Sequence, residues 1–290
     1  MSVKSLLYFG TFASVVVFAI LISIAGGANG VQVNGFSLFA LCSLLAFVLQ
    51  WLMFIPAYKY QTEHYYDLSG SGGYLAVIVL ALSQVDTLDS RSIILAVLVS
   101  VWALRLGSFL FRRISQDGSD SRFDEIKPVF WRFLNAWTMQ GLWIIVTLGC
   151  ALAAITAEQK VPLGIIGLVG VLVWLIGFTI EVVADQQKRR FRREPSNQGK
   201  FIQSGLWAYS RHPNYFGEIL LWIGIGIIAY PPLVGWQHLT LLSPLFVIFL
   251  LSKISGIPLL EAKADGRWQG NVDYQNYKAQ TSLLIPRFKK

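Results

Sequence analysis

Charged residues are scarce in this chain of 290 residues: they make up 14% of it, against about 25% in an average soluble domain. Hydrophobic residues make up 54% of the chain. This composition excludes an ordinary soluble enzyme and indicates a membrane protein. The only two cysteines, Cys42 and Cys150, both lie inside apolar runs. We therefore expect buried, inert thiols and neither a disulfide framework nor a cysteine-based metal site.

The motifs of soluble nucleotide-binding domains are missing as well. No Gly-x-Gly-x-x-Gly stands between a strand and a helix and no Walker loop is present, which excludes a soluble Rossmann or P-loop module. The glycine-rich residues 70–73 are interpreted as a loop before an apolar run. His64, His212 and His238 do not form a metal-ligand set, so no metal is expected. No nucleic-acid partner is expected either.

Long apolar runs dominate what is present. A helix needs about 20 residues to cross the hydrocarbon, with a range of about 17–25. Most of the runs are that long, but 73–85 and 214–230 are short. We therefore predict an all-α polytopic membrane protein with seven or eight transmembrane helices, organised as a single membrane domain over residues 1–290. The runs are 6–26, 36–57, 73–85, 92–111, 131–156, 162–184, 214–230 and 238–255.

Basic residues are distributed unevenly between the two ends of these runs. Only Arg91 and Lys160, of 24 lysines and arginines, fall in the connections 27–35, 86–91, 157–161 and 231–237. Positive loops face the cytoplasm, so the remaining loops and the C-terminus are predicted to be cytoplasmic. With eight helices the N-terminus is cytoplasmic too, and with seven it is not. Any pocket built from the basic loops would face the cytoplasm.

The stretch 205–229 combines a polar, aromatic first half with an apolar second half. Pro213 suits the first position of a helix, which would run up to the Pro231-Pro232 pair. Asn214 and Glu218 then share one helix face, directly after Arg211 and His212. Such a gathering of polar groups at the mouth of an apolar helix is costly unless it binds something.

A charged stripe is predicted on the preceding helix, provided that this helix continues past the membrane surface. One interpretation is a solvated helix end whose basic flank touches anionic lipid head groups. The other is a binding site, which is favoured by the depth of Glu181 inside its apolar run. Both interpretations stay open here. The stripe consists of Glu181, Asp185, Lys188, Arg189 and Arg192.

Together, the stripe and the stretch 205–229 suit a nucleotide cofactor. Arginine forks bind phosphate, Asn214 and Glu218 can hold the two sides of an amide, and Tyr209 and Tyr215 can stack on a flat ring. S-adenosylmethionine also needs a ring platform and a ribose acceptor, but it is cationic and has no phosphate. The surplus of basic residues therefore favours a phosphorylated cofactor. It consists of Arg192, Arg193, Lys200 and Arg211, together with Arg105, Arg112 and Arg113 on the fourth predicted helix.

The residues from Tyr209 to Glu218 also carry a resemblance. The sequence YSRHPNYFGE follows Gly-Leu-Trp and, further upstream, Ala-Asp-Gln-Gln-Lys at 184–188. It resembles the C-terminal domain of the steroid 5-alpha-reductase family, and more narrowly its bacterial-type branch of uncharacterised membrane proteins, over about residues 102–286. A looser Arg-His-Pro-x-Tyr-x-Gly signature occurs in isoprenylcysteine carboxyl methyltransferase-like proteins.

The resemblance implies a reductase that uses NADPH. Hydride would pass to the carbon–carbon double bond of a lipophilic enone, a 3-oxo-delta-4 steroid or a similar lipid, that enters from the bilayer. The sequence departs from the family at 211–213, where the steroid enzymes have Ser-Gly-Ala. Positions that resemble cofactor contacts are Arg105, Glu181, Asp185, Arg192, Asn214, Glu218 and Tyr277. The residues themselves add Lys188, Tyr209, Arg211 and His212 to the predicted cofactor-binding set.

The resemblance also implies a Glu–Tyr pair that activates the substrate carbonyl. The family's early Gln-Glu pair has no clean match, because Gln50 is followed by a tryptophan. Glu63 and Tyr66 are the predicted catalytic residues. The alternative for Glu63 is an interfacial carboxylate beside Lys59.

Two other classes of function stay open. The first is a membrane methyltransferase that uses S-adenosylmethionine on a lipid-linked acceptor. The second is a transporter or lipid-binding protein, which is disfavoured because the polar groups gather on one face instead of lining a path across the bilayer. The expected partners are a lipophilic small molecule and membrane lipids, and the oligomeric state is left open.

Overall fold

The computed structural model describes residues 3–117 and 120–287 of the chain. The last residues of the tail predicted to be cytoplasmic, 288–290, lie outside this range. Contacts divide the chain into two compact units, residues 1–164 with 228–243 and residues 165–227 with 244–290. Each unit is described by itself. The prediction of a single membrane domain stays a prediction.

The first unit is a bundle of long helices. Helix α5, which is apolar on most of its faces, is the most buried of the candidate spans and contacts α1, α2, α3 and α4. Between α1 and α2 the chain makes a short antiparallel hairpin, Gln32–Val33 with Phe36–Ser37. Its turn is Asn34-Gly35, and both residues have positive φ as a two-residue hairpin turn requires. The helices are α1 (Val3–Gly27), α2 (Leu38–Tyr60), α3 (Tyr66–Ser83), α4 (Ser90–Asp117) and α5 (Phe130–Ile155).

The loop interpretation of residues 70–73 is wrong, because these residues form the second turn of α3. Their small side chains let neighbouring helices approach. A Cβ on Gly70 would lie 2.0 Å from Nε2 of Gln140, and one on Gly73 would lie 2.6 Å from a methyl carbon of Ile144. Packing against α5 therefore outweighs the low helix propensity of the glycines.

The second unit contains most of α6 and α7 and the chain after residue 244. Helix α6 continues to Arg193, as the charged stripe required, and α7 begins at Pro213 as predicted. After the eight-residue α8, the chain passes through a π-helical turn, Leu250–Ile254, into α9. The helices are α6 (Gly164–Arg193), α7 (Pro213–Ala229), α8 (Leu242–Phe249), α9 (Ile257–Arg267) and α10 (Val272–Gln280).

Helices α6 and α7 touch through glycines. A Cβ on Gly177 would lie 2.5 Å from the backbone nitrogen of Leu221, and one on Gly217 would lie 2.6 Å from the backbone nitrogen of Glu181. Two turns further along α7, a Cβ on Gly224 would lie 2.7 Å from the carbonyl oxygen of Gly170. The two backbones are thus in direct contact, which is the usual way for helices to pack in lipid.

The prediction of an all-α polytopic membrane protein is confirmed. Among the described residues, seven helical stretches are long and apolar enough to cross a membrane, and α7 is a shorter apolar helix. Large apolar side chains such as Leu7, Leu172 and Ile165 are exposed on these helices, as expected of surfaces that face lipid. Seven and eight spans both remain compatible with the structure, and the sidedness of the loops stays a prediction.

Candidate functional site

A cavity of about 610 Å³ lies within the second unit, which is a usual size for a small-molecule site. Its wall is formed by the C-terminal end of α6, the segment 197–202, the two residues just before α7, and the helices α9 and α10. Charged side chains from most of these elements line a single space. The cavity is therefore the candidate functional site of this unit.

The wall of the cavity is strongly basic. Its basic side chains are Lys188, Arg192, Lys200, Arg211, Lys263 and Arg267, whereas Glu261 is the one carboxylate among the described residues that line it. Lys188 also lies over the ring of Trp207, with its Nζ 4.4 Å from the ring centroid. Arg267 lies similarly over Trp268, at 5.3 Å. Such a wall attracts anionic groups and disfavours a cationic ligand.

Aromatic rings form another part of the wall. Phe201 lies at their centre, with its ring centroid 5.7 Å from Trp268, 5.3 Å from Tyr274 and 5.4 Å from Tyr277. Burial raises the pKa of Tyr274 to about 12, and the charges of Glu261 and Asp265 act in the same direction. Its phenol is therefore neutral at physiological pH. The rings provide flat surfaces on which a planar group can stack.

The C-terminal tail holds the segment before α7 in place. The backbone N–H of Arg211 donates to the carbonyl of Ser282 at 2.8 Å, and the hydroxyl of Ser210 donates to the carbonyl of Leu284 at 2.7 Å. The hydroxyl of Tyr277 donates to the carbonyl of Trp207, also at 2.8 Å. The described residues of the tail therefore fix the backbone that presents Arg211 to the cavity.

Glu261 connects α9 to the same segment. Its Oε2 accepts a hydrogen bond from Nη1 of Arg211, and its Oε1 lies 2.8 Å from Nε2 of His212. Nζ of Lys278 lies 3.8 Å from Oε2. Burial lowers the pKa of His212, and the charges of Lys188 and Arg211 add to this effect, whereas the contact with Glu261 only partly opposes it. His212 is therefore held as a neutral imidazole.

The structure brings together part of the predicted cofactor-binding set. Lys188, Arg192, Arg211, His212 and Tyr277 all line the cavity. The other predicted residues of the second unit do not belong to the cavity wall, and Arg105 lies on α4 in the first unit. Those outside the wall are Glu181, Asp185, Tyr209, Asn214 and Glu218. Their cofactor contacts stay predictions, and Glu181 is buried on α6 beside α7.

Sequence analysis missed several residues of the wall, above all Glu261. Its partners are 49 and 50 residues away in the chain, and nothing in the sequence LLEAKADGRW pairs it with them. The available signal was weak: Glu261 is one of three carboxylates, with Asp265 and Asp273, in a basic, aromatic tail. The further missed residues are Phe201, Trp207, Lys263, Arg267, Trp268 and Tyr274.

The predicted catalytic residues Glu63 and Tyr66 belong to the first unit and have internal partners. Glu63 is buried, accepts a hydrogen bond from Nζ of Lys127 at 2.6 Å and accepts another from the backbone N–H of Asp120 at 2.8 Å. Its ion pair is therefore with Lys127 and not with Lys59. The hydroxyl of Tyr66 donates to the carbonyl of Ala136 at 2.9 Å. The catalytic roles of both residues stay predictions.

The ionisation of Glu63 follows from these contacts. Burial raises the pKa of Glu63. The hydrogen bonds from Lys127 and from the backbone, together with the charge of Lys127, lower the pKa by more than burial raises it, so the net shift is downward. The same pair raises the pKa of Lys127. An ionised carboxylate only accepts hydrogen bonds, so in this state Glu63 cannot donate to a carbonyl.

We expect the Glu63–Lys127 pair to make the stability of the folded protein vary with pH in the acid range. Because the pKa of Glu63 is depressed on folding, its contribution is present above the ordinary glutamate value of about 4.3 and is lost as the pH falls through the lower folded-state value. Thermal unfolding in detergent measures this. Glu63→Gln should cost about 3 kcal/mol at neutral pH and flatten the acid limb of the profile. Glu125→Gln, at an exposed carboxylate of the same loop, is the control, and an unchanged acid limb in Glu63→Gln would contradict the assignment.

The fold and the site define the class of the protein: it is an all-α polytopic membrane protein with a basic, aromatic cavity. The chain belongs to the family described as "Protein of unknown function (DUF1295)", whose model matches residues 52–281. This is the steroid 5-alpha-reductase-like family, so the resemblance found around the YSRHPNYFGE motif is confirmed.

Curated relatives are similar to part of the chain. The protein named 3-oxo-5-alpha-steroid 4-dehydrogenase 1 of Rattus norvegicus is 29% identical over 119 residues, which cover 41% of this chain and 40% of that protein. The protein of the same name from Bos taurus is 33% identical over 119 residues and covers 41% of each. The Delta(14)-sterol reductase of Ascobolus immersus is 35% identical over 88 residues, which cover 25% of this chain and 20% of that protein. The chain thus spans between 20% and 41% of these relatives' lengths, and no solved structure matches it.

Proposed function

We propose that this protein is a membrane reductase that uses NADPH to reduce a carbon–carbon double bond of a lipophilic substrate, an enone such as a 3-oxo-delta-4 steroid or a similar lipid. The observation that carries the proposal is the cavity of the second unit, where basic side chains and aromatic rings line one space. The names of the relatives, a steroid dehydrogenase and a sterol reductase, support the same class of chemistry.

The residues of the cavity fit a dinucleotide such as NADPH, which carries a pyrophosphate and a further phosphate on one ribose. Arg192, Arg211 and Lys188 would bind its phosphates, since guanidinium forks and ammonium groups are the usual phosphate ligands. Trp268 and Tyr274 would provide a surface for its planar base. Two buried atoms of the wall, Nε of Arg211 and Nδ1 of His212, have no hydrogen-bond partner among the described residues. Atoms of the ligand would provide the missing partners.

The bound cofactor would supply the hydride, and the side chains of the protein would bind and orient both reactants. Tyr66 is the proposed donor to the substrate carbonyl. It would have to exchange its bond to the carbonyl of Ala136 for one to the substrate. Glu63 would act by holding the loop that contains Lys127 against Tyr66, because its own ion pair keeps it from donating a proton.

A smaller cavity supports a lipophilic substrate. Its volume is about 300 Å³, and its wall is almost entirely apolar. Thr62 and Tyr65 belong to this wall and flank Glu63 and Tyr66 in the chain. We propose that it takes an apolar part of a substrate that enters from the bilayer. The remaining wall residues are Met53, Pro56, Ala57, Tyr60 and Trp137.

The proposed sidedness follows from the basic residues. Arg190, Arg192 and Arg193 end α6, and Lys200 follows shortly after, so the cavity belongs to the part of the chain that the positive-inside rule places in the cytoplasm. NADPH would enter from there.

Ligand-dependent thermal unfolding of the full chain in detergent tests the proposed function. A ligand at 100 times its dissociation constant stabilises the folded state by about 2.7 kcal/mol. NADPH is expected to raise the unfolding temperature, and S-adenosylmethionine is not. Stabilisation by S-adenosylmethionine alone would replace the proposal with a methyltransferase, and stabilisation by neither would favour a non-catalytic protein.

A pair of variants on α6 connects the binding of NADPH to the cavity. Arg192 lines the cavity, whereas Arg190 is exposed on the same helix and does not belong to the wall. Arg192→Ala should lower the affinity for NADPH about tenfold, which is the usual effect of losing one charge-assisted hydrogen bond. Arg190→Ala should leave the affinity within about twofold of wild type, and equal losses in both variants would point to a diffuse surface effect.

A further inference from the structure

Two adjacent residues of the cavity wall each have a buried polar atom without a hydrogen-bond partner among the described residues. These atoms are Nε of Arg211 and Nδ1 of His212. His212 is only 5% exposed. A buried polar group without a hydrogen-bond partner destabilises the folded state, so native proteins rarely contain one without a reason. Both residues face a cavity large enough for a ligand, which can provide the missing partners.

Glu261 determines which hydrogen-bonding role each of these residues has. One of its oxygens accepts from Nη1 of Arg211, the other lies 2.8 Å from Nε2 of His212, and Nζ of Lys278 lies 3.8 Å from the first oxygen. A carboxylate between the cationic groups of Arg211 and Lys278 is ionised and can only accept hydrogen bonds. Nε2 of His212 must therefore carry the proton of the neutral ring.

The opposite nitrogen of the ring is then an acceptor. With the proton on Nε2, the neutral imidazole presents a lone pair at Nδ1. Burial and the charges of Lys188 and Arg211 lower the pKa of His212, which keeps the ring neutral. The ring also lies parallel to that of Tyr215, at 9° and 5.8 Å between centroids, which limits its rotation. Arg211 and His212 therefore offer the cavity a cationic donor and a neutral acceptor side by side in the chain.

We propose that Glu261 is a positioning residue that sets Arg211 to donate to a phosphate oxygen and His212 to accept, at Nδ1, a hydrogen bond from a hydroxyl of the adjoining pentose. The ligand chemistry that matches this pair is the ribose phosphate of a nucleotide. The inference rests on the proposed function, because it assigns atoms within the cavity that would hold NADPH.

The role of Glu261 can be measured without any nucleotide. The chain has three histidines, so ¹⁵N-histidine NMR of the detergent-solubilised protein gives few signals, and His64→Gln and His238→Gln assign them by elimination. Wild-type His212 is expected in the form with the proton on Nε2. In Glu261→Gln the side-chain amide can donate to the ring, so the other tautomer should gain population. A wild-type ring with its proton on Nδ1 would overturn the proposal.

Two substitutions of His212 separate the acceptor role from a structural one. His212→Gln can still reach Glu261 but has no acceptor near the position of Nδ1, so NADPH affinity should fall about tenfold. His212→Asn loses the contact with Glu261 but places an oxygen near Nδ1, so it should bind NADPH more tightly than His212→Gln. A structural role predicts the reverse order, and that order would overturn the proposal. His238→Gln, at an exposed histidine, is the control.

These experiments distinguish the two levels of failure. If NADPH does not stabilise the wild-type protein, the proposed function fails, whereas the tautomer measurement still decides the role of Glu261. If NADPH stabilises wild type and His212→Gln binds it equally well, only the present inference fails. Should the His212 variants not fold, NADPH titrated into the wild-type NMR sample is expected to shift the Nδ1 signal of His212, and no shift would overturn the inference.

Discussion

Replacing Gly217 by valine is expected to leave little or no folded protein after extraction in detergent. A Cβ at this position would lie 2.6 Å from the backbone nitrogen of Glu181 and 2.6 Å from the carbonyl of Gly177. Both atoms belong to the backbone of α6, so no side chain can rotate away and the two helices would have to separate. We expect a cost of about 3 kcal/mol or more, at the upper end of overpacking effects. Size-exclusion chromatography and thermal unfolding measure the loss.

Gly10 provides the matched control for this substitution. It lies in α1, another apolar helix, and a Cβ there meets nothing within 4 Å. Gly10→Val should therefore unfold within a few degrees of wild type. If Gly217→Val is as stable as Gly10→Val, then α6 and α7 are not in backbone contact and the packing of the second unit described above is wrong.

The second large effect is expected from Arg211→Met, which should lower the affinity for NADPH by a factor of about one hundred or more. The substitution removes a cationic donor to the phosphates, and a charge-assisted hydrogen bond contributes about 1.5–3 kcal/mol. It also takes away a partner of Glu261, whose half-buried carboxylate then repels the phosphates more strongly. Equilibrium titration of the detergent-solubilised variant with NADPH measures the change in affinity.

Two further variants isolate the cause of that loss. Arg190→Met removes an exposed positive charge outside the cavity wall and should bind NADPH nearly as well as wild type. The double variant Arg211→Met with Glu261→Gln removes both members of the ion pair, so no unpaired carboxylate is left behind. It should recover part of the affinity lost in Arg211→Met. Wild-type affinity in the single variant would show that Arg211 does not contact the phosphates.

Much of the helical architecture could be predicted because lipid restricts the possible backbone structures. A chain that crosses a membrane must satisfy its backbone hydrogen bonds internally, so an apolar run of sufficient length is a helix. The run 131–156 and α5 (Phe130–Ile155) agree to within one residue. Helix α7 begins at Pro213 and ends before the Pro231-Pro232 pair, where local proline chemistry determines the limits.

The beginning of α3 could not be predicted from local signals. Residues 70–73 have the composition of a loop, and glycine costs about 1 kcal/mol in a helix interior. The helix forms there because Gly70 and Gly73 accommodate Gln140 and Ile144 of α5, a contact between residues about 70 positions apart. Tertiary packing of this kind leaves no pattern in the neighbouring sequence.

The candidate site was predictable where helix periodicity places residues on one face. Lys188 and Arg192, four residues apart on α6, do line one cavity, and Arg211 and His212 join them from the segment before α7. Glu261 was not predictable, because the tail has to fold back before a carboxylate of α9 can meet His212. Asn214 and Glu218 share a face of α7 as predicted, yet the cavity wall reaches only to His212.

Photoaffinity labelling tests the central claim most directly, namely that the basic, aromatic cavity of the second unit holds NADPH. The full-length protein in detergent is irradiated with an azido derivative of the dinucleotide, digested and analysed by mass spectrometry. The label is expected on peptides that contain the cavity wall, within residues 188–212 and 260–277, and excess NADPH should suppress it whereas S-adenosylmethionine should not. Labelling confined to the first unit, or labelling that excess NADPH does not suppress, would contradict the claim.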